Sequence, residues 1–214
     1  MRFYTDGSRI KAGKFVSMDD YYAGIGVILG WGAGYLDYNQ VWHKIVQSNR
    51  LGGSNINAEM FAIRDLLQRL ANNPEKLSKI MEVNADRKDR TIQIVTDSKT
   101  SIQIIEICLK LTDEEYYEGK EFQDLKMNEQ TALNIKEAIK RLEMIGYSVT
   151  FKHVRGHGKD PNMDPIDIEG NQCADDTATE AADILLQEYC SGDKDIYDDI
   201  EWYRKNRFRL GFVK

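Results

Sequence analysis

Hydrophobic positions recur along this chain with two different periods, and the switches between them mark out its elements. Residues 2–8 (RFYTDGS) read as a short strand running into a Gly turn, and residues 21–31 (YYAGIGVILGW) are aromatic and β-branched with interspersed Gly. Residues 41–47 (VWHKIVQ) follow a polar, Gly-rich connection, so this part predicts three strands in an antiparallel meander. From 58 to 71 the period lengthens: Met60, Ile63, Leu66, Leu67 and Leu70 recur at helical spacing, with Asn57 or Asn55 available as the N-cap. The polar residues 72–90 extend that helix or loop out. Residues 91–96 (TIQIVT) form a strand ending in Asp97-Ser98, and a helix covers 100–111. A further helix spans 131–145, closed by Gly146 as a C-cap. The strand 147–154 (YSVTFKHV) then leads into Arg155-Gly156-His157-Gly158 and a loop with Pro161 and Pro165, before a last helix from about 171 to 189. The order β-β-β-α-β-α-α-β-α predicts an α/β fold with a mixed sheet and helices packed on it.

Composition narrows the classes without choosing among them. The 214 residues are 42% hydrophobic and 30% charged with only 3 Pro, a globular composition that excludes collagen-like and low-complexity chains. No apolar run reaches the length that spans a bilayer, and the N-terminus lacks an apolar signal core, so a membrane location is not expected. Cys108, Cys173 and Cys190 are odd in number and scattered, which fits a reducing, cytoplasmic setting better than a disulfide framework or a zinc site. A net charge of −6 argues against a phosphate-binding partner, unless some of the carboxylates hold divalent cations that restore positive charge where phosphate sits.

Four acids stand at unusual positions. Asp6 closes the first strand before Gly-Ser, where the alternative is a turn-forming Asp-Gly, and Asp97 repeats the Thr-Asp-Ser context at the end of a second strand. The carboxyl ends of strands are where ligands bind in helix-covered sheets. Glu59 shares a helical stripe with Ile63, Leu66 and Leu70, so a carboxylate heads the face that packs on the sheet. Such a group must be protonated, paired or ligating a metal, unless it escapes to water near the helix N-terminus. In the last helix Asp175 falls beside Ala178, Ala182 and Leu186 at the edge of the apolar arc, whereas Asp176 points to solvent with Thr179, Glu180 and Asp183. Oxygen donors on separate elements at one sheet edge describe a site for two Mg²⁺, with Mn²⁺ a possible substitute, and two such ions about 4 Å apart suit phosphodiester hydrolysis.

These residues resemble the motifs of type I ribonuclease H. Tyr4-Thr-Asp6-Gly-Ser8 is similar to the family's first strand, Asn57-Ala-Glu59 to its first-helix acid, and Val95-Thr-Asp97-Ser98 to its second strand-end acid. His153-Val-Arg-Gly-His157 and Asn171-Gln-Cys-Ala-Asp175-Asp-Thr-Ala178 follow in the family's order, and the likeness covers roughly residues 1 to 190. The resemblance implies a ribonuclease H-like fold, a five-stranded mixed sheet of three antiparallel strands plus two parallel ones with helices on both faces. It implies a catalytic domain over 1–190 and leaves 191–214 as a C-terminal extension. The implied activity is endonucleolytic hydrolysis of the RNA strand of an RNA/DNA hybrid, leaving a 5′-phosphate and a 3′-hydroxyl; separately, a monomer is expected. Asp6, Glu59, Asp97 and Asp175 become the metal ligands, and His157 a loop histidine assisting proton transfer or product release. Ser8, Asn55, Asn57 and Ser98, short polar residues beside the acids, suit contacts to the 2′-hydroxyl or phosphate, or else serve as caps and turn residues. Two other readings keep the same residues: a DNA nuclease or strand transferase of the same superfamily, and a non-catalytic module binding hybrid or double-stranded RNA.

The chain departs from the family in three places. Where many members carry a basic, Trp-containing protrusion, residues 113–129 hold seven acids against Lys120 and Lys126. The connection from His157 to Asp175 is long, and Ile56 stands where a second Asn or Gln is usual. Outside the resemblance, residues 204–214 (RKNRFRLGFVK) carry five basic residues, two Phe and no acid, a composition that could grip phosphate or pack as an edge element.

Overall fold

Alternation along the first strand sets the architecture. In the computed structural model, which describes residues 1–11, 27–84, 90–111, 128–156 and 163–191, strand β1 (Arg2–Lys11) puts Phe3 and Tyr4 on opposite faces of a sheet. Phe3 joins a core with Leu29, Trp31, Ala58, Ile63 and Leu66. Tyr4 joins a second one with Val95, Val154 and Ala174. Helices therefore cover both faces. The further strands are β2 (Val27–Leu36), β3 (Trp42–Leu51), β4 (Thr91–Thr96) and β5 (Ser148–His153). The helices are α1 (Asn55–Asn72), α2 (Pro74–Asn84), α3 (Lys99–Lys110), α4 (Glu129–Met144) and α5 (Pro165–Ser191).

The sheet runs β3-β2-β1-β4-β5. β1, β2 and β3 are antiparallel, and β4 and β5 continue parallel to β1, which matches the expected three-plus-two arrangement. α1 buries its apolar stripe on the Phe3 face and α4 packs beside it with Ile135, Ile139 and Leu142. α5 crosses the other face. It approaches β2 so closely that a Cβ on Gly32 would lie 2.7 Å from the Thr177 Cβ and one on Gly30 would run into Ala178 and Ala182. That contact explains Gly30 and Gly32, whereas Gly34 is closed in by the Trp42 ring and the His43 carbonyl of β3.

Several boundaries differ from the sequence reading. β1 does not turn at Gly7 but continues to Lys11, paired with β2 from Tyr4↔Gly34 to Lys11↔Val27. β2 extends past Trp31 to Leu36, while residues 21–26 lie outside the described residues. The polar stretch after α1 forms α2, opened by Pro74. α5 begins at Pro165 rather than near 171, because Pro fits the first helical turn and the Asp164 carboxylate accepts from the Ile166 amide at 3.1 Å. The cap of α1 is Ser54, not Asn55 or Asn57. The acidic residues 113–127, His157 and all but the first residue of the 191–214 extension lie outside the described residues. Among the described residues no helix is long and apolar enough to cross a membrane.

Candidate metal centre

The parallel pairing of β1 with β4 ends at Tyr4↔Val95. Beyond it the two strands part, and the opening lies where the strand order changes direction, the usual ligand position in a sheet covered by helices. Asp6 comes two residues after Tyr4 and Asp97 two residues after Val95, so both carboxylates reach this opening. Glu59 enters from α1, whose start is fixed by a capping box: the Ser54 hydroxyl accepts from the Asn57 amide at 3.2 Å, and the Asn57 Oδ1 accepts from the Ser54 amide at 2.8 Å. Gly7 lets that helix come close, since a Cβ there would lie 2.5 Å from the Ala58 carbonyl carbon. Asp6 and Glu59 are 6% and 4% exposed, and Asp97 is half-buried.

Carboxylate oxygens of Asp6, Glu59 and Asp97 lie within 4.8 Å of one another. Burial above all, then the charge of Asp97, pushes the Asp6 carboxyl up to about 8, against the pull of the Gly7 amide, which donates to its Oδ1 at 2.8 Å. Burial, then Asp6 and Asp97, holds Glu59 well above the usual carboxylate range, and the hydrogen bond it shares with Asp6 raises it further. The Glu59 Oε2 is buried without a hydrogen-bond partner. Oxygen-only donors, mutual repulsion and an orphaned buried acceptor fit a hard divalent cation, which would replace the proton and fill the missing contact.

The fourth acid stands outside this group. Asp175 on α5 is half-buried, faces the Gln172 amide at 3.4 Å, and adds to the repulsion felt by Asp6. Asp176 is exposed and accepts from Gln172 at 2.9 Å, which agrees with the helical-wheel separation of the pair.

Three of the four polar candidates have structural partners. Ser98 caps α3, 2.7 Å from the Ser101 hydroxyl, and Ser8 lies 3.4 Å from the Thr179 hydroxyl of α5. Asn55 is exposed at the start of α1. Asn57 is buried, and besides its capping role its Nδ2 donates to the Asn128 Oδ1 at 2.7 Å, tying α1 to the start of α4.

Sequence reasoning missed the surroundings of Asp97. The Gly156 Cα sits against the Asp97 carboxylate so that any Cβ would collide with it, and the His153 Nε2 bonds the Asp97 carbonyl oxygen at 3.1 Å. The only signal was the glycine in Arg155-Gly156-His157, which brings the residue before His157 to the centre.

The chain matches the family model described as RNase H over residues 1–183. Its fold is similar to the PFV RNase H domain in solution, at 20% identity and a TM-score of 0.57, with 86% of this chain and 94% of that one covered. It is also similar to LC11-RNase H1, isolated from compost by a metagenomic approach, at 18% identity and a TM-score of 0.50, covering 86% and 96%. The foamy viral protease-reverse transcriptase in complex with RNA/DNA hybrid is similar at 15% identity and a TM-score of 0.52, with 85% of this chain covered. This chain spans 20% of that protein's length. No curated protein matches the sequence.

Proposed function

Because the chain belongs to the RNase H family, we propose that it is an endoribonuclease that hydrolyses the RNA strand of RNA/DNA hybrids with two Mg²⁺ ions, leaving 5′-phosphate and 3′-hydroxyl ends. The observation that carries this reading is the meeting of Asp6, Glu59 and Asp97 within 4.8 Å, with a Glu59 oxygen that lacks a partner. The hybrid held by the foamy viral relative supports the substrate.

Asp6, Glu59 and Asp97 would hold the metal, joined by Asp175 from α5. When bound, the ions supply charge neutralisation at the phosphate and a water acidified enough to attack at neutral pH. The protein's own residues do the rest. The Gly7 amide orients the Asp6 carboxylate, and the α1 capping box fixes where Glu59 enters. His157 follows directly on Gly156, which abuts Asp97. In this reading it moves a proton during leaving-group departure or product release. Asn55 and Ser98, at the starts of α1 and α3, would meet the ribose and phosphates of the cleaved strand. The proposal includes a monomer acting in a reducing, cytoplasmic setting.

The test is incubation of the purified chain with end-labelled RNA/DNA hybrid, duplex RNA and duplex DNA, each with Mg²⁺, Mn²⁺ or chelator. Metal-dependent loss of the RNA strand of the hybrid alone is expected. Preferential cleavage of duplex DNA would make it a DNA nuclease of the same superfamily, and tight metal-free binding without cleavage would make it a binding module. Either result overturns the proposal.

A further inference from the structure

The first turn of α5 carries a buried carboxylate that the metal centre does not use. Asp167 is fully buried (0% exposed), yet it is an acid on a helix that the sequence reading left as loop. It accepts from the Arg2 Nη1 at 3.0 Å, from the Tyr4 hydroxyl at 3.1 Å and from the Lys152 Nζ. Two cations and a phenol, from β1 and β5, thus compensate one carboxylate from α5. A buried charge of this kind is tolerated only with such complete pairing.

The partners of Asp167 lead into the centre. Arg2 and Tyr4 precede Asp6 on β1, and Lys152 precedes Gly156, the residue against Asp97. One helical turn beyond Asp167, α5 touches β1 so closely that a Cβ on Gly170 would lie 2.5 Å from the Tyr4 ring. Further along, Thr177 and Ala178 are pinned on Gly32. Asp175 sits between these two anchors, about 12 Å along the helix from Asp167. The anchor at Gly32 lies across from Asp6, its pairing partner in the sheet, and the Asp167 cluster fixes the other end of this stretch of α5 against β1 and β5.

We propose that Asp167 is a positioning residue for the metal centre: it clamps the start of α5 onto β1 and β5 and thereby presents Asp175 to Asp6, Glu59 and Asp97. The proposal rests on the reading of Asp175 as the fourth ligand. A residue that merely stabilises the fold would change the melting temperature alone. A positioning residue changes the metal affinity of the folded protein, and only while Asp175 is there to be positioned.

The experiment titrates Mg²⁺ into the full chain by calorimetry, well below the melting temperature, and follows hybrid cleavage against Mg²⁺. The variants are Asp167→Asn, Lys152→Met, Asp175→Asn and the double variant Asp167→Asn/Asp175→Asn. Asp167→Asn is expected to raise the half-saturating Mg²⁺ about tenfold, the usual loss when a group that orients a ligand is removed. High Mg²⁺ should restore most of its cleavage. With Asp175→Asn already present, Asp167→Asn should shift the half-saturating Mg²⁺ no further. Lys152 is 37% exposed and Arg2 and Tyr4 still pair Asp167 without it, so Lys152→Met is the milder change, expected to give a smaller shift in the same direction and to carry the test should Asp167→Asn not fold. A wild-type Mg²⁺ requirement in the folded single variants, or equal shifts with and without Asp175, reduces Asp167 to a stability residue. Wild-type Mg²⁺ affinity in Asp175→Asn instead refutes the fourth-ligand reading itself, and positioning through it with it.

Discussion

At Asp6 the chain keeps a carboxyl group where burial and the neighbouring Asp97 both oppose ionisation, and the Asp6 carboxyl is pushed up to about 8. Replacing it with the isosteric amide removes a group whose ionisation burial and the other carboxylates oppose, while preserving the acceptor that the Gly7 amide needs. Asp6→Asn is therefore expected to raise the melting temperature of the chelated protein at neutral pH, by about 2–4 °C for each kcal/mol of repulsion relieved. The same change should reduce Mg²⁺-dependent cleavage to background. Calorimetric melting and a hybrid-cleavage assay read the two effects, and a lower melting temperature would show that the hydrogen bonds of the carboxylate outweigh its repulsion. The pair on α5 offers a sharper contrast. Asp175 is half-buried and adds to the repulsion on Asp6, whereas Asp176 is exposed and bonds only Gln172 among its described contacts. Asp175→Asn should lower cleavage by at least about a hundredfold, beyond what loss of a supporting group costs, and Asp176→Asn should stay within about twofold. Equal damage from the two would mean that α5 is rotated relative to the sheet in the working enzyme.

Among the elements, β1 and α1 are joined at one backbone contact. Gly7 faces the Ala58–Glu59 peptide, and a Cβ there would lie 2.5 Å from the Ala58 carbonyl carbon and 2.7 Å from its Cβ. Backbone cannot swing aside as a long side chain can, so Gly7→Ala must push α1 away and carry Glu59 with it. A loss of about 1–3 kcal/mol is expected, as for other overpacked sites, together with a higher Mg²⁺ requirement; thermal melting and metal titration of this one variant check both. The sequence reading took Gly7 for a turn because Asp-Gly-Ser is a turn signal, and nothing local distinguishes a turn glycine from one that admits a helix. Where the signal was periodic, the reading succeeded: Glu59 does head the stripe of Ile63, Leu66 and Leu70, and all four side chains are buried. Where it was punctuation, the reading erred. Pro165 was taken as a loop residue and the stretch holding Pro74 as a helix extension or a loop, yet each proline opens a helix, because a proline suits a first helical turn as well as a loop. The contacts of Asp167 and Gly156 were invisible for a different reason. They are made with residues far away in sequence, Arg2 and Asp97 respectively, which no local pattern encodes.

Over the whole molecule, the charge balance and the centre are linked through pH. The formal net charge is −6, and the carboxylates Asp37, Asp164 and Glu180 are lowered by His43, Arg2 and Lys44 respectively. Their contribution is present at neutral pH and lost only as pH falls through those lowered values. Asp6 and Glu59 act in the opposite sense. The folded protein holds their protons more tightly than the unfolded chain, so the stability they contribute is full below the ordinary carboxylate value of 3.8 for Asp6 and is lost as pH rises toward about 8. Divalent cations bind the ionised carboxylates of the native state, so they offset this loss by mass action at high pH and do little at low pH. In chelator, the melting temperature of the wild type should fall relative to an Asp6→Asn/Glu59→Gln variant as pH rises from about 4 to about 8, since only the wild type has these protons to lose. Added Mg²⁺ should close that gap at the alkaline end and leave it unchanged at the acidic end. Differential scanning calorimetry across this range, with and without Mg²⁺, measures the two curves. A gap that is independent of both pH and Mg²⁺ would mean that the Asp6 and Glu59 carboxyls titrate alike in the folded and unfolded chain and hold no cation.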